Sequence, residues 1–408
     1  MNEIWIKWPE VNYHCQNKKI VLFGRSEDWI FKTLPKLSKM PAYIVDSNKG
    51  YHGTTCHGLT IFSPSKLNQE DPNNIYVIIT AGPHESVTAQ LLRDHSQLKP
   101  GSHFCCSPAF YDFKLLKEFH NYEKKVLISS PDYEEPKNHR HSRAGGGLFL
   151  YEIGVNTIKQ IIPGHFRQMI RCDQLIFAVE YVERKVYVLS PTLEVLDKLP
   201  LASPNACGIA YSPQKRLVLI AYAHTDTIEV YEKDSFKKVH TIHISDKFKK
   251  TEVGQHHIND LCIVDNSLYI SCFSLSGNWK RGFLDGGICE YDMDDFSSAP
   301  RTLINNLWMP HSIGFYNGNI SYLDSMRGLL FVGNHNVPGK FSGFVRGLDY
   351  DGRFFYVGQS EDMYTSRLFG ISNNIMLNAG FYLFDMEAKA SRFYPCLDIM
   401  NVHDLLLV

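Results

Sequence analysis

One phrase of four short strands recurs along most of this chain, and it limits the fold more than any other feature. Its clearest copy runs Cys207-Gly208-Ile209-Ala210-Tyr211, Arg216-Leu217-Val218-Leu219-Ile220-Ala221, Thr227-Ile228-Glu229-Val230-Tyr231 and Lys238-Val239-His240-Thr241-Ile242. Each segment is short, rich in β-branched and aromatic residues, and bounded by turn residues, so the phrase predicts a meander of strands A to D. It begins again at Gln168, Asn259, His311 and Arg346, with strand D hard to discern after His311. The starts lie 39, 52, 52 and 35 residues apart, an irregular period that fits propeller blades.

The two ends of this region complete the count. Val402-His403-Asp404-Leu405-Leu406-Leu407-Val408 reads as a strand A with nothing after it. Its partners stand upstream of the first full copy: Lys125-Val126-Leu127-Ile128-Ser129 as B, Gly147-Leu148-Phe149-Leu150-Tyr151 as C, and Thr157-Ile158-Lys159-Gln160-Ile161 as D. A blade built from both ends would close a ring of six and leave no sheet edge exposed. The B–C loop of that blade holds Asn138-His139-Arg140-His141, which reads as a solvated loop rather than a metal site.

Residues 1–121 have a different rhythm. Ile20-Val21-Leu22-Phe23-Gly24, Ala42-Tyr43-Ile44-Val45-Asp46 and Tyr76-Val77-Ile78-Ile79-Thr80 are short apolar runs of the kind buried in parallel sheets. Helical spacing over Trp29 to Leu37, broken at Pro35, and through Val87, Leu91 and Leu92 fills the gaps. The fold class expected is therefore α/β plus all-β, with a small parallel-sheet domain (1–121) followed by a six-bladed propeller (122–408). The turn Gly24-Arg25-Ser26-Glu27-Asp28 lacks the later glycines of a pyrophosphate cradle and carries two acids, so NAD is not expected. His52, Cys56 and His57 have no second ligand pair and read as a polar loop.

On the strands ending Gly24 and Asp46-Ser47-Asn48, with Gly58-Leu59, Ser63-Pro64 and Ile78-Ile79-Thr80, the N-terminal region resembles the Rossmann-like half-domains attached to enzymes of nucleotide-sugar and surface-glycan biosynthesis. That resemblance implies that Asp46 sits where a nucleoside is sensed, and it sets against this a plain packing or docking role.

Charge and cysteine content narrow the partners. Forty-two Lys and Arg against 43 Asp and Glu leave a net charge of −1, so neither nucleic acid nor an anionic membrane is an expected partner. No apolar run approaches the roughly 18 residues of a membrane helix, and the first residues do not read as a secretory signal. Ten cysteines, with Cys105 and Cys106 adjacent, read as reduced thiols of a cytoplasmic protein.

The candidate site lies on the A strands. Aligning them puts Gln168, Cys207, Asn259, His311, Arg346 and His403 in one position, and His257 two residues before Asn259 points to the same side. Inner strands surround the axis, so His257, His311, Arg346 and His403 would converge on one channel as the catalytic set. Three neutral imidazoles (His257, His311, His403) could hold a divalent metal, and Arg346 a carboxylate or phosphate. A water-filled channel lined by hydrogen-bonding groups is the plainer reading. Asn259, Trp279, Arg281, Asp324, Arg327, Glu361 and Arg367, on the same mouth and on two long B–C insertions, would bind a small anionic or sugar-like ligand.

His257-Ile258-Asn259, Trp308-Met309-Pro310-His311-Ser312, Asp324-Ser325, Arg346-Gly347-Leu348 and Val357-Gly358 resemble an uncharacterised bacterial family of six-bladed propellers classed as a domain of unknown function. The family implies the fold and no reaction. More distantly, its propellers are similar to lyases whose metal is held by one histidine from each of several blades. Two function classes therefore stand: an enzyme acting on a glycan or a nucleotide-linked or anionic sugar, as lyase, hydrolase or epimerase; and a non-catalytic binding or assembly module that docks a biosynthetic partner protein.

Overall fold

The computed structural model describes residues 4–132, 146–333, 336–361, 378–397 and 399–408. Contacts divide the chain into two compact units, Met1–Asn121 and Tyr122–Val408.

In the first unit five parallel strands run in the order β4-β2-β1-β5-β6, with β1 Lys19–Phe23, β2 Tyr43–Val45, β4 Leu59–Phe62, β5 Ile75–Ile79 and β6 Phe104–Cys106. A two-residue strand, β3 Thr55–Cys56, pairs antiparallel with β4, which makes the sheet mixed. β1, β2 and β5 are apolar runs with nearly every residue buried, because both faces of the sheet are covered. One face packs Val21, Val45, Val77 and Phe104, the other Ile20, Leu22, Ile44 and Ile78. The helix expected from Trp29 to Leu37 spans Glu27–Thr33 and tightens to a 3-10 turn, Leu34–Lys36, at Pro35. Helices Trp8–Cys15 and Tyr111–His120, and strands β3, β4 and β6, are additions to the sequence reading. Gly24, at φ +109°, lets the turn after β1 lie against Ala81, whose Cβ would stand 2.3 Å from any Cβ added there.

The second unit is a six-bladed β-propeller. Five sheets are consecutive four-stranded meanders, and the sixth joins Asp404–Leu407 to Lys124–Ser130, Gly147–Ile153 and Thr157–Pro163. The closing pair is antiparallel, Asp404 opposite Ser129 and Leu407 opposite Val126. Inner strands follow one another around the axis: Phe166–Cys172, Ala206–Ser212, Ile258–Val264, Pro310–Tyr316, Phe344–Tyr350 and Asp404–Leu407, with the last touching the first. The strand D that was hard to discern in blade four is two residues long, Gly339–Lys340. The His-Arg-His loop at 139–141 lies outside the described residues.

Two devices hold this ring. Between blades, apolar residues of adjacent sheets interdigitate, as where Ala210, Leu219 and Ile228 of blade two meet Ile258, Leu261 and Ile270 of blade three. Around the axis, side chains of one inner strand bind backbone N–H groups of another. Met169 N–H donates to Asp404 Oδ2 (2.8 Å), Ile209 N–H to Gln168 Oε1 (2.8 Å) and Ser312 N–H to Asp260 Oδ2 (2.8 Å). Gly347 N–H donates to Ser312 Oγ (2.8 Å) and Leu407 N–H to Asp349 Oδ2 (2.7 Å). Gln168 also reaches blade three, accepting from Leu261 N–H (3.3 Å) and donating to its carbonyl (3.1 Å). The belt therefore passes through all six blades.

Removal of residues 402–408 strips blade six of its inner strand and takes Asp404 out of the belt. The truncated chain is expected to lose its cooperative urea transition and to bind a hydrophobic dye in buffer. An unchanged midpoint and slope would show that the composite blade does not close the ring.

Candidate functional site

Five of the inner strands share one irregularity. Each carries a single extra residue relative to its B-strand partner: between Phe166 and Met169, Ala206 and Gly208, Ile258 and Leu261, His311 and Gly314, and Val345 and Leu348. A bulge bends the strand and re-aims the side chains beside it. Here the bulges fall at the same height in five blades, and the candidate residues stand on or beside them.

The side chains gathered there have unusual surroundings. Asn259, His311 and His403 are each 1% exposed. Among the described residues, neither side-chain atom of Asn259, neither ring nitrogen of His403 and not Nε2 of His311 has a hydrogen-bond partner. His311 Nδ1 is held by the Met309 carbonyl (2.8 Å) and Ser325 Oγ (2.7 Å), which leaves Nε2 as the free end of a fixed ring. A neighbouring histidine shows the ordinary alternative. The imidazole of His256 is satisfied at both ends, by the Ser274 carbonyl (3.0 Å) and Ser245 Oγ (2.8 Å). A buried polar group without a partner costs about 1–3 kcal/mol, so such atoms in blades three, four and six require water or a ligand to satisfy them.

His257 is presented by a strained turn. Its φ is +51°, in the left-handed region. The turn is clamped by buried Asp226, which accepts from the N–H groups of Gln255, His256 (2.8 Å) and His257 (2.8 Å). Strain of this kind persists where its surroundings over-determine it, and it is concentrated at functional sites. The His257 ring stacks on Phe273 (4.4 Å between centroids) and lies 5.3 Å from Trp279. Phe273 lies edge-on to His311 at 5.1 Å, and His311 in turn to Phe344 at 5.6 Å. Phe273, Trp279 and Phe344 thus form an aromatic wall that places two imidazoles. The insertion carrying Trp279 is tied down: Trp279 N–H donates to the Gln255 carbonyl (3.0 Å), and Asp285 accepts from Ser274 Oγ (2.5 Å) and Ser276 N–H (3.0 Å).

Two guanidinium groups set the electrostatics. Burial, then Arg167, Lys280 and Arg346, push the His257 imidazole down to about 3. Burial and Arg346 hold His311 well below the ordinary range, and burial with Arg346 and Arg167 does the same to His403. All three rings are neutral at neutral pH. Beneath them Asp260, 3% exposed, is raised to about 6 by burial, against the pull of Ser312 N–H, Arg346 and Arg167.

The structure brings His257, Asn259, His311, Arg346 and His403 into this neighbourhood, with Trp279 on its wall. Among the described residues, however, no three His, Cys, Asp or Glu side chains are placed to hold one metal ion. The three-imidazole metal set is therefore not assembled: His257 stacks on Phe273 and His311 meets the same ring edge-on, and the three imidazoles do not converge on one point. Asp324 and Arg327 engage one another at 3.1 Å, while Asp324 also caps Trp308 N–H (3.1 Å) and Arg327 binds Asn306 and covers the Trp308 ring. Arg281 is exposed on the 3-10 turn Trp279–Arg281, and Glu361 is half-buried at the end of its strand, its N–H donating to the Met400 carbonyl (2.9 Å). Arg367 lies outside the described residues.

Arg167 was missed in the sequence. The alignment placed Gln168 at the channel, but the blade-one bulge spans both residues and commits Gln168 to the belt. Arg167 lies over Tyr181 (4.3 Å to the ring centroid), and its charge is felt by His257, His311 and His403. A cavity of about 200 Å³ opens beside it.

In the first unit, Asp46 Oδ2 accepts from Arg25 N–H (2.7 Å), Oδ1 accepts from Asn48 N–H (2.8 Å), and His52 bonds the Asp46 carbonyl (2.8 Å). All ten cysteines are free thiols. No described helix is long and apolar enough to cross a membrane.

No protein-family model matches the sequence, and no curated protein does. Solved structures similar to it include a chain of a nidogen/laminin complex (13% identity, 70% of this chain and 97% of that one, TM-score 0.49). A structure described as a gluconolactonase gives 11% identity, 68% and 89% coverage, and a TM-score of 0.43. Regucalcin of Agrobacterium tumefaciens, described as a calcium-binding protein, gives 12%, 56% and 72%, and 0.40.

The depressed imidazoles carry a pH signature. A histidine whose folded pKa lies below its free value of 6.5 binds fewer protons folded than unfolded, so stability is lost as pH falls from about 6.5 toward about 3. Asp260 and Asp324, both raised to about 6, act oppositely between about 4 and 6, losing stability as pH rises. Asp349 and Asp404, also raised by burial, act with these two acids, and His95 and His103, also lowered by burial, act with the three histidines. Five histidines thus stand against four acids, and the thermal midpoint is expected to fall between about pH 7 and pH 4.5. The fall should be smaller in His403→Asn, and an equal fall in that variant would remove His403 from the account.

Proposed function

We propose that the channel mouth is an active site for proton-transfer chemistry on a small anionic, sugar-like substrate, in a lyase, epimerase or hydrolase reaction. The observation that carries this reading is the set of buried, unpartnered polar atoms on Asn259, His311 and His403 beside the Arg346 and Arg167 guanidiniums. Arg346 would bind a carboxylate or phosphate of the substrate through its planar fork. His311, fixed through Nδ1, would offer Nε2 as acceptor of a substrate proton, and His403 would act from the opposite side as its donor or acceptor. Asn259 would hold a hydroxyl, its Nδ2 as donor and its Oδ1 as acceptor both being to spare. The aromatic wall of Phe273 and Trp279 suits the apolar face of a sugar ring.

The charge arrangement links binding to reactivity. Part of what depresses His311 and His403 is the positive charge of Arg346. An anion seated on that guanidinium neutralises it and raises both imidazoles toward the range in which they exchange protons at neutral pH. A divalent metal would require ligands other than the three-imidazole set. For the first unit we retain the Rossmann-like reading. Its support is the parallel order β4-β2-β1-β5-β6, which reverses between β1 and β5.

The test is a panel of aldonates, uronates, their lactones, sugar phosphates and nucleotide sugars, followed by proton NMR in deuterated buffer. Turnover or deuterium incorporation is expected with an anionic sugar, and His311→Gln or His403→Gln should lower kcat about 100-fold or more with the fold retained. Full activity in both variants would overturn the assignment. Saturable binding without exchange or turnover would favour a non-catalytic ligand-binding or assembly role.

A further inference from the structure

The cavity of about 200 Å³ beside the imidazole cluster lies between blades one, two and three, and its lining has one sign of charge. Among the described residues, Arg167, Lys280, His224 and His257 face it, and no carboxylate does. Among the described residues neither Arg167 nor Lys280 has an acidic partner within ion-pairing distance, whereas many surface cations of this chain do, as Lys19 with Glu70 and Arg216 with Asp234. Nε of Arg167 is buried without a hydrogen-bond partner among the described residues, although the guanidinium plane is already held over Tyr181. A fixed cation with an unused N–H in a concave site is arranged for an oxyanion.

The cavity is also preformed. Gly254 N–H donates to the His224 carbonyl (2.6 Å), and a Cβ at Gly254 would stand 2.3 Å from the Ala223 carbonyl oxygen, so the two loops are in contact along the floor. The Asp226 clamp fixes the His257 side. Clefts that take drug-sized ligands usually measure about 300–1,000 Å³, so this one suits a phosphate or a single sugar ring rather than a dinucleotide or a nucleotide-linked sugar.

We infer that this cavity is an oxyanion subsite, formed by Arg167 and Lys280, that seats the phosphate or carboxylate of a monosaccharide-sized ligand. The inference deepens the reading of the channel mouth and rests on it for the identity of the remainder of the ligand. It places a second anionic group of the ligand at blades one to three, apart from the one on Arg346, with the sugar ring extending past His257 toward His311 and His403.

Calorimetric titration of the full chain with inorganic phosphate, D-glucuronate and UDP-glucuronate tests it. Saturable binding of phosphate or glucuronate is expected, weakened at least tenfold in Lys280→Met and in Arg167→Gln. Phosphate binding alone assigns a phosphorylated ligand, and glucuronate binding alone a carboxylated one. Lys280 is exposed, so its variant carries the test should Arg167→Gln fail to fold. Absence of saturable binding by both small anions, or wild-type affinity in the variants, overturns the subsite. UDP-glucuronate binding tenfold tighter than glucuronate overturns its size limit. His403→Gln separates the two readings, because it should bind phosphate within about twofold of the wild type while losing turnover. Full turnover in that variant with phosphate binding intact sinks the chemistry alone, and lost turnover in a protein that never bound either anion sinks the subsite alone.

Discussion

Closure of the ring is the constraint on which the rest of the propeller depends. An inner strand with no partner leaves a row of unpaired N–H and C=O groups and an apolar face in water. Pairing Asp404–Leu407 with Lys124–Ser130 removes that edge and joins residues almost three hundred positions apart. The belt of side-chain bonds then makes each inner strand's position depend on others: Asp404 to blade one, Gln168 to blades two and three, Asp260 to blade four, Ser312 to blade five, and Asp349 back to blade six. Bonds of this kind contribute about 1 kcal/mol each. Their larger effect is geometric, since they hold the bulged segments of separate blades at one height.

Those bulges turn a structural ring into a candidate site. The extra residue in an inner strand leaves a backbone N–H without its ladder partner and swings a side chain out of register. The freed N–H groups take the belt bonds, as at Ser312 and Gly347. Of the side chains beside them, Arg167, Asn259 and His311 have buried polar atoms with no hydrogen-bond partner among the described residues, and burial with Arg346 holds the His311 imidazole well below its ordinary range. Stability and chemistry thus use the same irregularity, and the left-handed turns at His257, Met309 and Ser312 cluster around it.

Much of the fold was legible because strands announce themselves locally. Alternation, β-branched runs and turn residues mark each strand, and counting them exposes a terminal strand that needs a distant partner. The two-residue strand Gly339–Lys340 was not legible, because so short a segment carries no period. In the first unit β3 and β6 were missed for the same reason. At the site, His311, Asn259 and His403 were found by position in the repeat. Arg167 was lost because a bulge shifts the register by one residue, and a repeat alignment has no means of detecting that.

What the sequence determined by itself is the number and kind of elements, and hence which residues stand near the starts of inner strands, since strand identity depends on neighbours within a few positions. Which of those residues have a partner was decided by tertiary structure. Asp324 and Arg327 occupy one another, His256 is satisfied by two serines, and neither ring nitrogen of His403 has a hydrogen-bond partner among the described residues. Hydrogen-bond satisfaction depends on ångström distances, whether between near neighbours such as Asp324 and Arg327 or between belt partners on separate blades such as Met169 and Asp404. Such distances arise only when the ring closes and the packed sheets fix them.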